Sequence, residues 1–563
     1  MSTRQEVLAK LRSNPNISVL IVGAGINGIG VFREMALNGV DVLLVDRGDF
    51  CGGASAGSSH MVHGGLRYLE NAEFRLVREA LTERNRLLIN APHYVKPLPT
   101  TIPIFKWFSG IFNAPLKFFG LRDKPGERGA IIIKLGLMMY DFFARSYRTM
   151  PTHTFRLSAP SLLQRPQLNR DVIATATYYD AWMPYPERIC MELVTDAEAL
   201  SPEARALNYV SLQGGEGDTV TLRDELTGDT YQVKPKIVVN AAGPWIDFAN
   251  HSLGKQTHFI GGTKGAHLVI DHPELHAATQ GHELFFENKD GRICLFFPLM
   301  DKVLAGTTDI HIDDPDAAAV TDEEVDYILG MINLVFPTIK VDRSHVVFWF
   351  TGVRPLPASD AATAGQISRD HTIRITEPDD SVAFPVYSLV GGKWTSFRAF
   401  GEQTADKLLA LLGKSRRAGT ETMPIGGGKE YPHSDAGKKQ WLAVTQQQTN
   451  ISDERIAVLF ARYGTRAAEI AAFCAAGEDE PLHHQPDYTR REIRFLVECE
   501  KVVHLDDLLL RRSLLAMLGQ VTSDLLAELA PIVGESLGWS EADTREEAKR
   551  AAEMLRTRHG ASL

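Results

Sequence analysis

Residues 19–50 read VLIVGAGINGIGVFREMALNGVDVLLVDRGDF, and three glycines between two apolar runs decide how the chain begins. Gly23, Gly25 and Gly28 form G-x-G-x-x-G. Val19–Val22 reads as a buried strand, the segment after the glycines has helical spacing, and VDVLLVD reads as a second strand ending on Asp46. The pattern predicts a β-α-β unit with a carboxylate about 20 residues past the glycines, the dinucleotide-binding arrangement. Gly23 permits the tight turn, Gly25 lets backbone approach a pyrophosphate, and Gly28 lets helix and strand pack closely. The helix N-terminus offers N–H groups to the phosphates, and Asp46 is placed to accept from ribose hydroxyls.

The 563 residues suffice for two or three domains, and 44% apolar with 23% charged is ordinary globular composition. A net charge of -10 and a pI of about 6.0 argue against nucleic acid as the partner. Five cysteines are scattered without C-x-x-C spacing, so neither a disulfide framework nor a zinc site is expected, and a reducing cytoplasm fits. Cys51 reads as a small filler near the glycines. His483 and His484 have no carboxylate or cysteine at ligand spacing, so no metal is expected. The N-terminus lacks a cationic start followed by an apolar core, and no uncharged apolar run reaches membrane-spanning length.

Strands and helices alternate early, then a strand-rich middle follows, with THFIGGTKGAHLVI and GRICLFFPLMDKVLAGTTDI. The β-α pattern returns at SVAFPVYSLVGGKWTSFRAFGEQTADKLLALLG. This order predicts an α/β nucleotide-binding domain interrupted by an antiparallel substrate domain. Residues 1–430 form the expected oxidoreductase region. Its nucleotide-binding segments fall at about 17–75, 155–255 and 345–415, and its substrate or cap segments at about 76–154 and 256–344. GKSRRAGTETMPIGGGKEYPHSDAG reads as a linker, and residues 435–563 as a separate α-helical domain.

Two further motifs choose the dinucleotide. In KIVVNAAGPWIDFA a strand runs into Asn240-Ala241-Ala242-Gly243-Pro244-Trp245, where small residues let its end pass under a cofactor. This resembles the second FAD motif of glutathione-reductase-type flavoproteins. In YSLVGGKWTSFR, Gly391 and Gly392 sit between an apolar strand and a helix, whose free N–H groups suit the N1/O2 edge of a reduced flavin. Each alone is also a plain strand-to-helix turn. All three in this order favour FAD over NAD. Ser58, Ser59 and Thr395 are expected beside the cofactor.

Together with SSHMVHGGLRYLENAEFRLVREALTERNRLL, GTTDI, FTGVRPL and GGKWTSFR, these residues closely resemble the FAD-dependent glycerol-3-phosphate dehydrogenases. The similarity runs from residue 17 to about 415 and on into the C-terminal helices. It implies oxidation of sn-glycerol 3-phosphate to dihydroxyacetone phosphate, hydride transfer to FAD, and electron delivery to membrane quinone. Such chemistry needs cations for a phosphomonoester and a base for the hydroxyl proton. By resemblance Arg67, Tyr68, Arg354 and Lys393 form the phosphate end. His267 in TKGAHLVI is the first choice for the base, with Arg354 and Lys393 beside it, and His63 in MVHGG is the second. Asp309 is expected to order a turn, and Lys264 and Arg398 fit either the site or ordinary ion pairs.

The chain departs from the family at His60, where Lys is usual, and at Tyr185-Pro186-Glu187 ahead of the retained Arg188. These departures leave a longer polyol phosphate, such as a tetritol phosphate, as an alternative substrate. A soluble glycerophosphate oxidase that uses oxygen is the other alternative. The stretch Thr101–Arg148 carries eight Lys/Arg against three acids. Its part FKWFSGIFNAPLKFFG, with aromatics among lysines, fits a segment lying in the lipid interface at the inner face of the cytoplasmic membrane. AIIIKLGLMMYDFF reads as a core helix. The choice between monomer and homodimer stays open.

Overall fold

A computed structural model describes residues 3–66, 73–108, 129–145, 149–288, 292–359 and 370–563. In chain order the strands begin with β1 (Asn16–Val22), β2 (Val42–Val45), β3 (Met61–Val62), β4 (Lys96–Ile104), β5 (Thr154–Leu157) and β6 (Ala174–Trp182). There follow β7 (Ala204–Leu207), β8 (Val210–Glu216), β9 (Thr219–Asp224), β10 (Thr230–Asn240), β11 (Thr263–Ile270) and β12 (Glu283–Glu287). The last are β13 (Ile293–Leu299), β14 (Lys302–Gly306), β15 (Ile310–His311), β16 (Val346–Arg354), β17 (Thr372–Thr376) and β18 (Val386–Val390).

The first sheet has the order β17-β18-β10-β1-β2-β7, parallel from β18 to β7. Its central strands are unbroken apolar runs because helices cover both faces. Val22 lies opposite both Val45 and Asn240, and Asn240 opposite Ser388. The carboxyl ends of β1, β2, β10 and β18 therefore share one edge, and all three glycine motifs emerge there, where open α/β sheets bind ligands. The helix Ile26–Leu37 crosses Phe397–Leu411 closely: a Cβ on Gly401 would stand 2.8 Å from the Gly30 carbonyl carbon.

The second sheet has the order β15-β11-β14-β13-β12-β4-β6-β3, with β16 paired to β11 and β5 to β6. Its spine is β11, buried at every position and antiparallel to β14 and β16. The expected segment boundaries shift accordingly. Strands β3, β6 and β16, assigned from sequence to the nucleotide domain, pair instead into the second sheet. An apolar strand does not announce which of two sheets its hydrogen bonds join.

The C-terminal region is helical from Asp435 to His559, as its periodicity predicts. It is not an isolated body. Its helices share one core with Phe348 and Phe350 of β16 and with Phe297 of β13. Buried ion pairs join it to the nucleotide domain: Arg512 to Asp49 at 2.6 Å, and Arg188 bidentately to Glu500. The glycine-rich stretch read as a linker is packed. A Cβ on Gly427 would lie 1.9 Å from the Tyr463 carbonyl oxygen, and Ile425 is buried. There the glycines serve close backbone approach rather than looseness.

Candidate active site

A cavity of 740 Å³ opens along the shared carboxyl edge and runs to the foot of β11 and β16. Gly23, Gly25, Asp46, Gly243, Gly391 and Gly392 all line it, so the three motifs read from sequence converge on one space. The glycines serve different ends. Gly23 (φ +103°) and Gly28 are fixed by the protein itself, since a Cβ would come within 2.5 Å of the Ala241 carbonyl oxygen and within 2.0 Å of the Gly23 carbonyl oxygen respectively. At Gly25 an added Cβ meets only Ser55 Oγ, at 3.2 Å, and at Gly243 it meets nothing within 4 Å. Those two positions border the open space of the cavity.

Asp46 is half-buried, and its carboxylate accepts from Ala24 N–H at 2.7 Å and Gly48 N–H at 2.9 Å. Burial pushes it up to about 6, against the pull of those two bonds. Ser55, which the sequence reading passed over, accepts from the Ile26 N–H at 2.9 Å and so occupies one donor of the helix start. Ser58, Ser59 and Thr395 all line the cavity, and the Thr395 hydroxyl donates to the His63 carbonyl at 3.3 Å. The loop bearing His63 is pinned from below by Asp180, which accepts from Gly64 N–H at 2.8 Å and pairs with buried Arg84 at 2.9 Å.

His267 projects from β11 into the far end of the cavity. Its Nε2 lies 2.8 Å from Ser59 Oγ, and its ring stacks on Phe350 with centroids 4.9 Å apart. Gly306, opposite on β14, leaves it room, because a Cβ there would stand 2.4 Å from the imidazole Cδ2. Burial first, then the Arg354 guanidinium and His60, hold the imidazole well below its usual range, which favours its neutral form. Arg354 ends β16. It donates to Asp309 at 3.1 Å and to Thr307 Oγ at 3.0 Å. Asp309 thus orients the guanidinium, a role more specific than the turn expected of it. Gly265 makes this seat possible, since a Cβ would come within 2.4 Å of Arg354 Nη2.

Lys393 and His63 also line the cavity. Arg67 and Tyr68 lie outside the described residues. Lys264 and Arg398 are structural: Lys264 pairs with buried Glu324 at 2.8 Å, and Arg398 grips buried Glu83 at 2.7 and 2.9 Å. The two departures from the family pattern do not reach the cavity. His60 is fully buried and stacks on Phe350, while Glu187 and Arg188 sit beneath the C-terminal helices. They therefore give no geometric reason for a different substrate. Among the described residues no group of His, Cys, Asp and Glu is arranged to hold a metal ion.

The FAD dependent oxidoreductase family matches residues 18–406, and the C-terminal domain of alpha-glycerophosphate oxidase matches residues 418–544. A glycerol-3-phosphate dehydrogenase of Synechocystis sp. is 33% identical over 96% of this chain and 97% of its own length. The chain belongs to the FAD-dependent glycerol-3-phosphate dehydrogenase family. Its cofactor is FAD, which suits the open glycine-lined edge described above. A D-erythritol 1-phosphate dehydrogenase of Brucella abortus is 29% identical, covering 88% of this chain and 93% of that one. The fold matches a crystal structure of a glycerol-3-phosphate dehydrogenase from Bacillus halodurans complexed with FAD. The TM-score is 0.75, with 22% identity over 99% of this chain and 97% of that one.

Proposed function

We propose that the enzyme oxidises the C2 hydroxyl of sn-glycerol 3-phosphate to give dihydroxyacetone phosphate. The observation that carries this reading is the placement of His267 and Arg354 on neighbouring strands, facing the cavity that the three glycine motifs border. Bound FAD supplies the acceptor for the hydride that leaves C2. His267 Nε2, held by Ser59, takes the hydroxyl proton. Arg354, aimed by Asp309 and Thr307, forks onto the phosphate together with Lys393, and Arg67 and Tyr68 join them by resemblance. His63 contributes from the loop that Asp180 pins.

Anaerobic bleaching of the flavin by a panel of polyol phosphates tests this reading. Glycerol 3-phosphate is expected to bleach it fastest, and no bleaching by any member would overturn the proposal. A tetritol phosphate is the second reading, supported by the erythritol phosphate dehydrogenase relative. Replacing Arg354 by methionine is expected to raise KM for the phosphorylated substrate by one to two decades, since a charge-assisted bond is worth about 1.5–3 kcal/mol. An unphosphorylated polyol should be little affected; equal losses on both would remove Arg354 from the phosphate end.

Electrons then pass to quinone at a membrane surface. Supporting this, the helix Ala130–Ala144 exposes Ile131, Leu135, Met138 and Phe142, spaced i, i+4, i+7 and i+11 along one face. Only its opposite face, with Leu137 and Tyr140, is core, so the sequence reading of this helix holds for one side. Trp107 and Phe108, also exposed, lie beside it, because Ala130 N–H donates to the Lys106 carbonyl at 2.9 Å. No described helix is long and apolar enough to cross a membrane. Peroxide yield separates this reading from the oxidase alternative: stoichiometric peroxide in air would favour oxygen as acceptor.

A further inference from the structure

Asp316 belongs to the turn Pro315–Ala317 that follows β15 of the second sheet, yet its carboxylate is spent entirely on two residues of the first. It accepts from both terminal nitrogens of Arg47, at 3.1 Å from Nη1 and from Nη2 as well, and from Trp245 Nε1 at 3.0 Å. Arg47 follows Asp46 at the end of β2, and Trp245 closes the turn after β10. Both line the cofactor cavity. The Arg47 guanidinium lies over the Trp245 indole, 4.5 Å from the ring centroid. The indole in turn reaches the facing wall, where a Cβ on Gly53 would meet it at 3.2 Å. Asp316 is itself fixed, since its N–H donates to the Asp314 side chain at 3.0 Å.

We infer that Asp316 is a positioning residue for the cofactor. By holding Arg47 and Trp245 together it keeps one wall of the cavity closed against the adenosine half of FAD, beside Asp46. Cofactor retention is thereby tied to the substrate domain. The ion pair is half exposed, with side-chain exposures of 52% and 55%, so on its own it has little weight. Three features raise that weight. The pairing is bidentate, the cation is stacked on an indole, and a cofactor lying against the cluster removes water from it. The charges around it are Asp46 and Asp314 beside Arg47 and Arg558 beside Asp316, so removing Asp316 leaves Arg47 with two other carboxylates but no partner that also holds the indole.

The test is the rate at which FAD leaves the holoenzyme after dilution into FAD-free buffer, read as recovery of flavin fluorescence. Asp316→Ala is expected to release FAD about tenfold faster, the weight of a stacked and partly desolvated bidentate pair. Association should not change. Asp316→Asn, which keeps an acceptor for Trp245 Nε1, should fall between. Added salt should speed release from the wild type and leave Asp316→Ala unmoved. Release from Asp316→Ala within about twofold of the wild type would overturn the inference. So would faster release together with a matching fall in the melting temperature of the FAD-free protein, which would make Asp316 a general support of the fold.

Discussion

Gly25 and Gly28 stand three residues apart, and a side chain added to each meets a different fate. At Gly28 the new carbon collides with the Gly23 carbonyl oxygen at 2.0 Å, backbone that has nowhere to go. At Gly25 it meets one hydroxyl at 3.2 Å, which turns aside. Gly25→Val is therefore expected to fold and to lose FAD, whereas Gly28→Val loses the β-α-β unit itself. Circular dichroism and flavin content, measured on both, separate the two effects; a folded Gly25→Val protein with full flavin content would remove Gly25 from the cofactor site. Asp46 gives a second outcome at this scale. Its pKa of about 6 in the folded chain exceeds the ordinary 3.8. The FAD-free protein therefore holds an extra proton between about 4 and 6 and loses stability as pH rises through that window. Accepting from ribose hydroxyls, the role expected of Asp46 from its place after the glycine motif, needs the ionised form, so on that reading FAD affinity should rise from about pH 5 to about pH 7 in the wild type and stay flat in Asp46→Asn. A titration that is equally steep in both would assign the dependence elsewhere.

The strands β11, β14 and β16 build the His267 end of the cavity by register. β11 places His267 opposite Gly306 on β14 and Phe350 on β16, so the imidazole has a ring on one side and an absent side chain on the other. Gly306→Ala would put a carbon 2.4 Å from that ring and push it off Ser59. The expected result is turnover at least tenfold lower, about 1.4 kcal/mol of barrier, with FAD content and KM nearly kept. Turnover equal to the wild type would mean that the position of His267 does not matter to the step. Much of this was legible in the sequence. The glycine motifs and Asp46 are marked by local chemistry, since a tight turn needs glycine, whereas His267 and Arg354 are singled out by resemblance to the family; all of them line one cavity. Gly306, Phe350, Ser55 and Asp316 left no such mark. Each acts on a residue distant in sequence, and only the pairing of strands brings the partners together. For the same reason the segment ranges read from sequence do not say that β3, β6 and β16 pair into the second sheet.

At the scale of the whole molecule the C-terminal helices are clamped on by charge as well as by apolar burial. Burial works to raise the Asp49 carboxyl, and the Arg512 and Arg511 guanidinium groups outweigh it, holding it well below the usual carboxylate range. The clamp rests on the loop after β2, at the cofactor edge, so the helices support the same loop that carries Asp46 and Arg47. Among the described residues the apolar stripe of Ala130–Ala144 has no such partner, and Ile131, Leu135, Met138 and Phe142 are exposed. Phe105, read from sequence as part of the lipid-facing segment, packs instead against the core under the second sheet, and Phe112, Phe118 and Phe119 lie outside the described residues. The test therefore moves to Trp107, Phe108, Leu135, Met138 and Phe142, all exposed. Their joint replacement by serine removes no buried side chain, so melting temperature and dye-linked activity should hold. Burying each large apolar side chain in lipid is worth about 1.5–3 kcal/mol, and losing five should abolish sedimentation with anionic liposomes and lower quinone reduction. Lys106, Lys134 and Arg145 on the same segment add an attraction that salt weakens. Wild-type protein that stays in the supernatant with anionic liposomes at low salt would overturn the membrane reading. A serine variant that still sediments would place the contact elsewhere on the surface.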